Sequence, residues 1–177
     1  MLNKTAIKSL LAASIVSASC AASAADMYAG GGVAVLDADE VTLNAVYGRF
    51  GAFFNENISA EARLGLGVGD DSTNYEGFDV KAELDNYYGI YLRGGIPAGE
   101  VFYPYAVLGY TKAKITATAS AFGQSSSASA SDSDLSYGVG ADFAVTESLK
   151  INAEYMSYMD KDDAELTGFS VGVAFSF

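Results

Sequence analysis

From residue 27 to the C-terminus, apolar positions alternate with polar or small ones at a period of two. That period places successive side chains on opposite faces of an extended strand, whereas a helix repeats its apolar positions every three to four residues. In the segment 58–69, Ile58, Ala60, Ala62, Leu64, Leu66 and Val68 share one face, while Ser59, Glu61, Arg63, Gly65, Gly67 and Gly69 share the other. In 166–177, Phe169, Val171, Val173, Phe175 and Phe177 oppose Gly168, Ser170, Gly172, Ala174 and Ser176. Eight such segments are legible: 27–36, 41–54, 58–69, 79–95, 101–117, 134–145, 149–159 and 166–177. Two of them, 41–54 and 101–117, are apolar on both faces, so their orientation stays open. If Arg49 points inward, Phe50 and Phe54 point outward. Lys112 and Lys114 either point inward, taking Ala106, Leu108 and Tyr110 with them, or lie beyond any membrane.

A soluble sandwich also alternates, so the charges must separate the cases. Opposite the apolar faces sit Gly, Ser and Ala with a few charges of both signs: Glu61, Arg63, Glu83, Asp85, Arg93, Asp142, Lys150 and Glu154. That composition suits the narrow interior of a small barrel. In 79–95 the inward set is expected to be Lys81, Glu83, Asp85, Tyr87, Gly89, Tyr91 and Arg93, which leaves Asn86 outward. The connections 55–57, 96–100 and 146–148 are short. Those at 37–40, 70–78, 118–133 and 160–165 are mostly longer and, together with the strand mouths beside them, hold 13 of the 22 acidic residues. Short turns at one end and longer loops at the other form the outer-membrane pattern. Tyr28, Phe53, Phe54, Phe102, Tyr103, Tyr105, Phe143, Phe175 and Phe177 gather near the short-turn ends and read as an interfacial belt. The expected fold is all-β: an eight-stranded antiparallel transmembrane up-and-down β-barrel over residues 26–177.

Residues 1–25 read differently. Lys4 and Lys8 precede the apolar run 10–16, and small residues follow to Ala25. This is the order of a cleaved secretory signal peptide, and the apolar run falls far short of the ~20 residues of a spanning helix. Cys20 falls within it; a lipidated cysteine is the alternative, but Ser17 stands where a bulky aliphatic residue is expected. The chain has 22 acidic against 10 basic residues, which argues against a nucleic-acid partner, since phosphate recognition needs clustered Lys and Arg.

The tail 169–177 (FSVGVAFSF) resembles the C-terminal signal of outer-membrane barrels, with an aromatic last residue and apolar residues at alternate positions before it. The segments 55–61 (NENISAE), 87–93 (YYGIYLR), 104–109 (PYAVLG) and 137–142 (YGVGAD) are similar to the small barrels of the OmpA/OmpX-like and opacity-protein group. The resemblance implies the outer membrane of a Gram-negative bacterium, contact with its lipid and lipopolysaccharide, and recognition by the barrel-assembly machinery through the segment ending at Phe177. That group includes adhesins, structural barrels and narrow channels, so it leaves function open.

The chain has no His, which removes His-based catalysis and imidazole metal ligands. Glu83 and Asp85 resemble an acid/base pair, but an interior ion network with Arg63 or Arg93 is the better reading, since buried charges must be paired. Such a network would fill the lumen, because an eight-stranded barrel is just wide enough for side chains to pack it. Asp70-Asp71 and the run 160–163 suit a loose gathering of divalent cations but lack the spacing of a defined calcium loop. The low-complexity stretch 118–133, with Phe122 its one large apolar residue, reads as a solvated loop. The expectation is therefore no enzyme, no catalytic residue, no cofactor and no metal site. The expected role is structural or cell-surface interaction, with an extracellular partner reached through acidic loops; a narrow cation-selective channel is the alternative.

Overall fold

The computed structural model describes residues 26–38, 41–69, 71–75, 78–121, 124–161 and 164–177. The expected signal peptide at 1–25 and Phe122 lie outside them, as do Asp70, Asp162 and Asp163. Nine strand segments follow one another: β1 Met27–Ala38, β2 Val41–Phe53, β3 Ile58–Gly67, β4 Asp71–Tyr75, β5 Phe78–Gly95, β6 Phe102–Ala121, β7 Gln124–Ala144, β8 Leu149–Lys161 and β9 Ala164–Ser176. Consecutive strands pair antiparallel except β3 and β4, β1 pairs with β9, and β3 pairs with β5, which closes the sheet. β3 and β4 lie end to end along β5, from Ile58↔Gly94 to Leu66↔Asn86 and then from Asp71↔Ala82 to Tyr75↔Phe78. They make one interrupted stave, and the barrel has eight.

The interruption has a local cause. Gly69 adopts φ +83°, a left-handed conformation that glycine reaches without steric cost. Opposite it, the β5–β6 ladder shifts register between Leu84 and Asn86, the mark of a bulge with Asp85 as the extra residue. A one-residue bulge reverses the faces of everything beyond it. Below the bulge Tyr87, Tyr91 and Arg93 are buried in the lumen as expected; above it Leu84 is buried and Lys81 and Glu83 are exposed. The expected inward placement of Lys81, Glu83 and Asp85 is corrected accordingly.

Elsewhere the alternation holds strand by strand. Arg49 is buried and Phe50 exposed on β2. On β6, Tyr105, Val107, Thr111 and Ala113 are buried while Leu108, Tyr110 and Lys112 are exposed, so the lysines do not enter the lumen. Exposed Val33, Val46, Leu64, Ile90, Leu108, Val139, Val171 and their neighbours form an apolar wall around the outside. Thr42, Asn44 and Lys112, also exposed, follow that wall toward the long-hairpin end.

The connections depart most from expectation. Residues 118–121 and 124–133 are strand rather than loop: β6 and β7 stay paired to Ala121↔Gln124. Their low-complexity composition is itself a period-two pattern, and facing hydroxyls bond across the ribbon, Thr116 to Ser129 at 2.9 Å and Thr118 to Ser127 at 3.0 Å. Likewise pairing reaches Ala38↔Val41, Tyr75↔Phe78 and Lys161↔Ala164, so strand occupies most of the expected external loops. The β7–β8 ladder, by contrast, stops at Tyr137↔Ser157. β4 to β7 therefore rise beyond the closed barrel as a sheet whose β7 margin leaves β8 behind.

At the other end the turns are short and held by side chains. Asn55 Oδ1 accepts from the amides of Asn57 and Ile58, both at 2.9 Å, and Thr146 Oγ1 accepts from Leu149 N at 3.0 Å. Phe54, Phe102, Phe143, Phe175 and Phe177 are exposed around this rim, the positions of an interfacial belt. Tyr28 and Tyr105 do not join it; both turn into the lumen, 2% and 5% exposed. Inside, tyrosine rings fill the spaces left by glycines. A Cβ on Gly51 would lie 2.3 Å from the Tyr28 ring, on Gly65 2.0 Å from Tyr87, and on Gly140 2.7 Å from Tyr105.

Candidate functional site

The lumen has three levels, two packed and one open. The middle one is ionic. Arg49 comes from β2, Glu61 and Arg63 from β3, Arg93 from β5, Asp142 from β7 and Glu154 from β8, with side chains 0–3% exposed. Each sits on the inward parity of its strand. Arg63 bridges Glu61 and Glu154 and donates from Nη2 to Glu154 Oε2 at 2.9 Å. Arg93 donates to Asp142 Oδ2 at 2.6 Å and to Tyr28 Oη at 3.0 Å. Tyr28 in turn donates to Glu61 Oε2 at 2.6 Å. Arg49 lies 3.7 Å from Glu61 and 3.8 Å from Asp142, close enough for attraction but without a hydrogen bond. Three cations face three anions, so the layer is neutral. Aromatic faces complete it: the Arg93 guanidinium lies 3.8 Å from the Tyr105 ring centre and that of Arg63 4.6 Å from Tyr91.

Above this layer, toward the long hairpins, the lumen is apolar. Met156, Tyr47, Tyr87 and Tyr158 are buried directly over the ions, and Tyr87 and Tyr158 pack at 5.5 Å between ring centres. Leu36, Leu43, Leu84, Met159 and Leu166 continue this core toward the hairpins. A polar chain runs beside it from Tyr91 Oη to Thr111 at 2.7 Å, on to Ser136 at 2.6 Å, and then to the Tyr158 carbonyl at 3.0 Å. Below the ions, toward the short turns, a cavity of about 630 Å³ opens, with Phe53, Phe102, Tyr103, Glu100, Glu147 and Lys150 among its walls and Asp142 lining it.

The expected interior set is thus only partly assembled. Glu61, Arg63, Arg93, Asp142 and Glu154 meet. Lys150 stands in the lower cavity, its Nζ 5.3 Å from the Phe53 ring centre. Asp85 instead pairs with Lys114 at 2.5 Å, half exposed, near the outer mouth, and Glu83 faces outward. The outer apolar core was missed because Leu36, Leu43 and Leu84 stand in segments read as apolar on both faces, as loop edges, or on the wrong side of an unseen bulge. Among the described residues no group of three or more His, Cys, Asp or Glu side chains is placed to hold a metal.

The outer membrane protein beta-barrel domain model matches residues 9–177. The chain belongs to this family. It is a small barrel of the Gram-negative outer membrane. No curated protein matches it. Among solved structures, it is similar to Ail, the attachment invasion locus protein of Yersinia pestis, in complex with the heparin analogue sucrose octasulfate. That match has a TM-score of 0.58 and 20% identity over 86% of this chain and 97% of Ail. The N-terminal β-barrel domain of Pseudomonas aeruginosa OprF matches at TM-score 0.61 and 14% identity, over 86% of this chain and 97% of that one. Neisserial surface protein A matches at 0.53 and 16%, over 86% and 97%. At these identities the likeness is one of fold.

Proposed function

We propose that this barrel is a non-conducting anchor that carries an ordered extracellular sheet for contact with a partner at the cell surface. The observation that carries the reading is the double closure of the lumen, ionic in the middle and apolar above. A lumen packed in this way leaves the hairpins as the working surface. The margin of β7 over residues 124–131, beyond the β7–β8 ladder, offers backbone of the kind that pairs with an added strand. Asp132, Asp134 and Asp160 lie near the base of that margin, and the whole chain carries a net charge of −12, which favours a basic partner. A relative in fold, Ail, is by name an attachment protein, which supports a surface role without assigning a ligand.

The same reading makes residues 1–25 a cleaved signal peptide and the segment ending at Phe177 the contact for the assembly machinery. It leaves the barrel without catalytic role. Planar-bilayer recording tests it: pure protein gives no reproducible steps, while cation-selective openings would establish the channel reading instead.

A further inference from the structure

The short-turn end of the barrel contains a cavity that the surface role does not use. Phe53, Phe102 and Tyr103 give it aromatic walls, Glu100 and Glu147 stand exposed at its mouth, and Asp142 lines it from the ionic layer. Two atoms there have no hydrogen-bond partner: Asp142 Oδ1, on a side chain 3% exposed, and Tyr103 Oη. One cation already occupies it, since Lys150 Nζ lies 5.3 Å from the Phe53 ring centre. An aromatic wall below an anionic mouth is the arrangement that holds an ammonium group with a hydrocarbon stem.

We propose that this vestibule, facing the periplasm, binds a small linear organic amine. The ammonium groups sit among Glu100, Glu147 and the neighbouring Glu56 and Asp26, all of which line the cavity. The hydrocarbon stem lies against Phe53 and Phe102. Asp142 Oδ1 and Tyr103 Oη accept N–H bonds, while the charge of Asp142 itself remains answered by Arg93 at 2.6 Å. The volume, about 630 Å³, is that of a small-molecule site rather than a seat for a protein segment. Lys150 acts as a tethered competitor: it holds a cation–π position that a free amine would take.

The test is calorimetric titration of spermidine into the full chain in a non-ionic detergent at about 0.1 M salt, where long-range attraction is screened beyond ~10 Å. Saturable binding is expected. The E100Q/E147Q pair, altered only at exposed turn positions, should weaken it roughly tenfold, the size expected for two charges in contact with the ligand. K150Q should strengthen it several-fold. D37N/D134N, at the opposite end of the barrel, should leave it unchanged. Heat-shifted gel mobility confirms that every variant is folded. Absence of saturable binding overturns the proposal. So does equal weakening by the two double variants, which would mean attraction to net charge alone, or a K150Q protein that binds more weakly.

Discussion

Glu61 is the hub of the ionic layer. It touches Arg63, accepts from Tyr28 at 2.6 Å and lies 3.4 Å from Arg93 and 3.7 Å from Arg49. Replacing it by Gln keeps the shape and an acceptor for Tyr28 but leaves three guanidiniums facing two carboxylates. Removing one member of a buried ion pair strands the charge of the other, at a cost of about 3 kcal/mol or more. With a urea dependence of about 2 kcal/mol/M, E61Q should lower the unfolding midpoint of vesicle-reconstituted barrel by about 1.5 M, at unchanged slope. The decisive comparison is E61Q/R49Q. Arg49 makes no hydrogen bond, and its removal leaves the Arg63–Glu154 and Arg93–Asp142 pairs intact with balanced charge. The double variant should therefore be more stable than E61Q alone, a favourable coupling of at least about 1 kcal/mol in a double-mutant cycle. Additive losses from E61Q and R49Q, or an E61Q midpoint within ~0.3 M of wild type, would refute the account of a charge-balanced layer.

Gly65→Ala should cost about 1–3 kcal/mol in the same assay, because its Cβ would meet the Tyr87 ring at 2.0 Å inside a filled lumen. Gly48→Ala, exposed and with its nearest atom at 3.9 Å, should be neutral or slightly stabilising. Phe177→Ala keeps the backbone bonds between residue 177 and Met27, at 2.9 and 3.3 Å, so vesicle refolding should persist while the amount assembled in cells, read by membrane fractionation, falls. Replacing residues 117–128 by Asn-Gly retains the Thr116↔Ser129 pair and the Ile115 that packs on the apolar core, and should leave the urea midpoint within about 0.5 M, since it removes ribbon above the closed barrel; a larger fall would show that the ribbon supports it.

The fold was legible where side chains report their own face. Glu61 and Arg63 between Ala60, Ala62 and Leu64 reveal the pleat of β3, and Asp142 and Glu154 do the same for β7 and β8. Periodicity failed where the backbone changes phase without a change in composition. The bulge at Asp85 moves Glu83 out and Leu84 in, and nothing in the string of residues around it marks the extra position. At 118–133 the period was present, Ala128 and Ala130 alternating with Ser127, Ser129 and Ser131, but small and polar residues on both faces carry no burial signal, and pairing with the facing strand is what reveals a sheet. Tyr28 and Tyr105 were misplaced for a third reason: a tyrosine near a strand end serves an interfacial belt and a glycine-lined lumen equally well, and only the small residue opposite, Gly51 or Gly140, decides.

On the proposed reading, the apolar core that stands over the ionic layer bears on how the barrel stays shut. An ion network alone can exchange partners, since each guanidinium here faces more than one acidic group. An apolar core has no second arrangement of equal energy, because opening it exposes Leu36, Leu43, Leu84 and Leu166 to water at about 1.5–3 kcal/mol for each side chain. Opening a path through this barrel would thus require unpacking the part that stands on the long-hairpin side, not merely rearranging charges at its centre. The same core stiffens the base from which β4 to β7 rise. On the function proposed above, one set of leucines would therefore both disfavour conduction and hold the sheet of the long hairpins in a fixed orientation, which is what a surface for recognition needs and a pore does not.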